Sequence, residues 1–181
     1  DLTVGNDITM SGGAIITTTA GTPTVTLTCT DNACGLGTSG QTGTFIIYNL
    51  TTSGTGTTTL NRGLTVSGSL AVGSGTTLTT ANSPTITMSG TTKTISGTGT
   101  KTLYALTISG SVSWSAGGTN SVASTFSVSA GGAFTDGADI SIAAGLANVG
   151  TGTIAYTGTP TLTVTANGTI GGSATGTVQL Y

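Results

Sequence analysis

The chain has no glutamate and no histidine, and its formal charges come from only three Lys or Arg and five Asp in 181 residues. General acid–base catalysis draws on His, Glu, Asp, Lys, Tyr or Cys placed around a substrate. Two of those types are missing here, and of the aspartates only Asp136 and Asp139 lie close in sequence, so an enzyme is not expected. Lys93, Lys101 and Arg62 fall in other repeats than that pair, which argues against a polysaccharide-cleaving cluster of acids and bases. Three scattered cations cannot form a basic surface for nucleic acid. Two cysteines with no histidine offer no metal-ligand set, and no cofactor is expected. No apolar run approaches the ~20 residues that a spanning helix needs, so no membrane partner is expected. A surface so poor in charge also gives little repulsion between copies, and self-association is the natural expectation.

What fills the space is 46 Thr and 31 Gly, over two-fifths of the chain. Gly/Ser/Thr-rich chains are often disordered linkers. Here, however, hydrophobic residues make up 35% of the sequence and keep a two-residue phase. That phase is clearest over 64–129, in Leu64-Thr-Val66-Ser-Gly, Ile86-Thr-Met88-Ser-Gly, Leu106-Thr-Ile108-Ser-Gly and Phe126-Ser-Val128-Ser-Ala. Alternation of this kind is a strand with one buried face, and Thr, Val and Ile suit a pleated surface.

Recurrence near 20 residues predicts a single all-β domain over 1–181. The expected fold is a parallel β-helix (β-solenoid) of about 20-residue coils, each covering the apolar face of the next. An antiparallel β-sandwich or jelly roll is the alternative, but it does not explain one interval with one trailing Ser-Gly. The spacing predicts inward ladders of Leu2, Val25, Phe45, Leu64, Ile86, Leu106 and Phe126, and of Val4, Leu27, Ile47, Val66, Met88, Ile108 and Val128. Eight or nine coils at the strand spacing would make a rod of roughly 40 Å.

The Leu-Thr-Val-Ser-Gly wording resembles the β-strand-repeat surface proteins of bacteria, the autotransporter passengers and filamentous-haemagglutinin-like adhesins. The resemblance covers residues 60–135 best. It implies a secreted, right-handed parallel β-helix displayed at the cell surface, either a structural unit or an adhesin or stalk segment that binds surface glycans.

Four features complete the reading. Cys29 and Cys34 flank an Asp31-Asn32 turn pair that can bring the thiols together. A disulfide is expected and fits an extracellular compartment, with two free thiols as the alternative. Asn49-Leu-Thr51 and Asn167-Gly-Thr169 are glycosylation sequons. A Thr column through Thr3, Thr26, Thr65, Thr87 and Thr107 is similar to the ice-binding faces of some antifreeze proteins. Its neighbouring column is broken by Asp1, Gly63 and Ala105, so ice binding is not expected from it. Finally, both ends read as strands without caps, and Leu2, Val4, Val178 and Leu180 are the expected contacts with other copies. Open β edges recruit further strands, by coil stacking or strand donation. The expected function is self-assembly of an extracellular structural protein into a filament or surface fibre.

Overall fold

Thr24–Cys29 shows how the sequence sets the fold: Val25, Leu27 and Cys29 are buried, and the threonines between them face outward. The computed structural model describes residues 1–9, 16–18, 21–30, 33–38, 43–115, 117–143, 145–148, 152–164, 169–171 and 177–178. Every strand pairing among them is parallel, which settles a β-solenoid over the sandwich, and no helix occurs among these residues. Each turn contributes one strand to each of three sheets. Leu70–Val72 joins a nine-stranded sheet, Thr77–Thr80 a seven-stranded sheet and Thr85–Met88 an eight-stranded sheet, before Lys93–Ser96 begins the next turn.

The core is the stack of inward columns. In the eight-stranded sheet Phe45, Leu64, Ile86, Leu106 and Phe126 lie directly above one another, with Ile47, Val66, Met88, Ile108 and Val128 two residues on. All are at most 2% exposed. Burial of each such side chain is worth about 1.5–3 kcal/mol. Ring packing adds direction: Phe134 meets Phe126 edge-to-face at 4.8 Å and Trp114 at 6.4 Å.

Two expectations need correction. Leu2 and Val25 do not join the Phe45 ladder. They belong to the nine-stranded sheet, where Val25 stacks on Leu50 and Leu27 on Thr52. The turn between Val25 and Leu50 is 25 residues long, so a 20-residue step stops one face short of a full turn. Turns of this variable length give about seven coils instead of eight or nine.

Close stacking leaves little room at the corners. Gly97 has a positive φ of 90°, and any Cβ there would overlap the backbone carbonyl of Val72 in the turn before. Glycine avoids both the strained conformation and the overlap.

Candidate functional surfaces

Two faces of the solenoid and one interior corner carry the groups with chemistry. On the outside of the seven-stranded sheet, Thr57, Thr77 and Thr100 are in register, and so are Thr59, Thr79 and Thr102 two residues along. The second column continues through Ser121, Ser141 and Thr163. The doubled Thr array therefore exists, on a different sheet from the column expected at Thr3, Thr26 and Thr65. That expected column is itself divided, because Thr3 and Thr26 lie in the nine-stranded sheet and Thr65, Thr87 and Thr107 in the eight-stranded one. The legible signal was the recurrence of Thr57-Thr-Thr59, Thr77-Leu-Thr79 and Thr100-Lys-Thr102.

The edge of the nine-stranded sheet is formed by Leu2–Val4, which pairs with Thr24–Cys29 on one side. Val4 packs against the core, whereas Leu2 is 50% exposed. Val178 lies in the strand at the opposite edge of the same sheet, paired with Ile154. Leu180 falls outside the described residues, as does Asn167.

Asn49 is described, and its amide is fully engaged at a corner. Nδ2 donates to the Thr22 carbonyl at 3.2 Å, and Oδ1 accepts from the Ser69 N–H at 2.8 Å. Cys29 and Cys34 are joined by a disulfide with a Cα separation of 5.8 Å, both buried where the chain passes from the nine- to the seven-stranded sheet. Among the described residues no three His, Cys, Asp or Glu side chains come together as a metal-binding group.

The interior corner between the same two sheets holds two buried charged side chains, Lys101 and Asp136. Lys101 shares its face with Leu103, and alternation drives it inside, where it is fully buried. Its ammonium donates to the carbonyls of Gly97 at 2.8 Å and Gly99 at 2.9 Å, and burial pushes its pKa down to about 8. Asn120 lies next in that column, its Nδ2 donating to the Asp139 carbonyl at 3.0 Å. Asp136, in register with Trp114 and on the face of Phe134, is only 1% exposed, while Asp139 stays outside at the corner. Asp136 Oδ1 accepts from the Ala138 N–H at 3.1 Å, but Oδ2 has no partner among the described residues. Loss of solvent pushes its pKa up to about 6, against the pull of the Ala138 hydrogen bond and with a smaller upward push from Asp139.

This makes stability depend on pH. The folded carboxyl keeps its proton to about pH 6, whereas the unfolded chain releases it near 3.8. Across that window the folded state binds more protons, so stability falls as pH rises and the penalty is complete above pH 6. Allowing for residual screening by solvent, the expected loss between pH 4 and 7 is about 2 kcal/mol. Urea unfolding over that range checks it. Asp136→Asn should flatten the profile and gain stability at pH 7, and a flat wild-type profile would contradict the assignment.

No protein-family model matches the chain, and no curated protein or solved structure matches it.

Proposed function

We propose that this chain is an extracellular structural protein whose solenoids join end to end into a filament or surface fibre. The observation that carries the reading is the state of one column. Val25, Leu50, Leu70, Ile95 and Trp114 are each covered by the turn before, while Leu2, at its edge, stands half exposed. A parallel strand laid on Leu2–Val4, the edge strand among the described residues, would bury that side chain and pair with its backbone. The opposite edge of the same sheet offers such a strand. A head-to-tail contact between unlike edges does not close on itself, and so propagates. The disulfide and the resemblance to bacterial β-strand-repeat surface proteins support an extracellular setting.

Sedimentation velocity over a concentration series tests the reading. Mass should climb with concentration and respond weakly to salt, because backbone pairing and apolar burial drive the contact rather than exposed ion pairs. Leu2→Lys places an unpaired charge at the contact and should leave monomers. A single monomeric species at every concentration, or a Leu2→Lys chain that still polymerises, would contradict it. Further coils of the same polypeptide could cover the edge instead, and the chain would then stay monomeric.

A further inference from the structure

The hydroxyl face of the seven-stranded sheet differs from the other outward faces in three respects. First, it is doubled: Thr57, Thr77 and Thr100 stand beside Thr59, Thr79 and Thr102 over three successive turns without a break. On the eight-stranded sheet the matching outer column runs Thr44, Gly63, Thr85, Ala105, Thr125 and Gly145, so every second hydroxyl is missing.

Second, its hydroxyls are uncommitted. On the other sheets some outward hydroxyls bond to one another along the stack, Thr107 with Ser127 at 3.1 Å and Thr28 with Ser53 at 3.1 Å, while Thr51, Thr65 and Thr87 make no such bond among the described residues. Among the described residues the six threonine side chains of the doubled array make no such bond, although most are only partly exposed. Third, the array carries no charge. Lys101 lies between Thr100 and Thr102 in sequence but points into the core, and the carboxylates of this face lie beyond the six threonines, Asp7 accepting from the Gly35 N–H in the strand before Thr59 and Asp139 two turns after Thr100.

Geometry then selects the ligand. Parallel strands about 4.8 Å apart, with same-face residues about 6.6 Å apart along each strand, place the hydroxyls on a rigid, nearly rectangular net. β-Branched threonines are stiff at χ1, so the net changes little on binding. Each hydroxyl can hold a water, and each methyl beside it limits where that water sits. A neutral net of hydroxyls and methyls on this scale can order a layer of water. An ordered ionic or polyanionic surface would need cations that the face lacks, whereas ice is a neutral lattice and needs none.

We propose that the outer face of the seven-stranded sheet binds ice. The inference stands apart from end-to-end assembly, since stacking leaves this face open and lengthens its columns.

The test uses the whole purified chain in an ice-recrystallisation assay and in partition into growing ice, with a Thr79→Lys variant and a Thr87→Lys variant. Thr79 is in the doubled array, and Thr87 faces outward from the eight-stranded sheet. Both are surface changes expected to leave the fold intact, which circular dichroism verifies. The wild type and Thr87→Lys should enter ice and slow recrystallisation, and Thr79→Lys should lose both effects. Wild-type chain excluded from growing ice would overturn the proposal. So would ice activity that survives in folded Thr79→Lys, or exclusion from ice with capture on crystalline cellulose or chitin, which would reassign the face to a neutral polysaccharide.

Discussion

Alanine in place of Trp114 is expected to cost about 3–5 kcal/mol of folding free energy. Trp114 is the only tryptophan and is fully buried, stacked between Ile95 and Asp136 and edge-on to Phe134. Its removal strips the cover from three turns at once, because Phe134 in turn packs against Phe126. The neighbouring coils are held in register by backbone ladders on three sides, so they cannot collapse into the space, and the cavity term persists. Against a typical total of about 5–15 kcal/mol such a loss is large. A urea titration followed by far-ultraviolet circular dichroism reads it directly. Trp114→Phe should cost less. A Trp114→Ala chain with an unchanged midpoint would mean that the column is not closed around this side chain. Water entering the cavity would also rehydrate Asp136, so the pH dependence of stability should shrink in the same variant.

The second large effect is expected at Gly97, where alanine should cost about 3 kcal/mol or more. Part of the cost is local, since a positive φ disfavours any residue with a Cβ by about 1–2 kcal/mol. The remainder is steric, because the added methyl meets the backbone of Val72 and not a side chain that can move aside. Moving the corner also disturbs the Gly97 carbonyl that holds the buried Lys101 ammonium. Gly158 provides the comparison. Its φ is 79°, but an added Cβ would meet nothing within 4 Å, so Gly158→Ala should show only the local cost. Equal midpoints for the two variants would show that the turns are not stacked as closely as described.

Much of the fold was legible in the sequence because the two-residue alternation and the coil length are both written in Leu-Thr-Val-Ser-Gly. From Phe45 to Phe126 that wording maps onto one sheet, turn for turn. It failed upstream because spacing alone does not say which of three faces a strand occupies, and the turn after Val25 carries extra residues between Leu36 and Phe45. The doubled threonine array was overlooked for the same reason. It lies on the strands between the conspicuous phrases, where Leu78 and Lys101 occupy one inward column, so no common apolar phrase marks it. Lys101 and Asp136 were misleading in another way. Charge suggests solvent, yet each is two residues from a core side chain, Leu103 and Phe134, and backbone pairing on both sides fixes which way they point.

Electron microscopy of the purified chain across a concentration series is the decisive check on the proposed end-to-end joining of solenoids. Uniform filaments that lengthen with concentration, with an axial repeat of about 4.8 Å and absent in Leu2→Lys, are the predicted result. Short isolated rods at every concentration would contradict it.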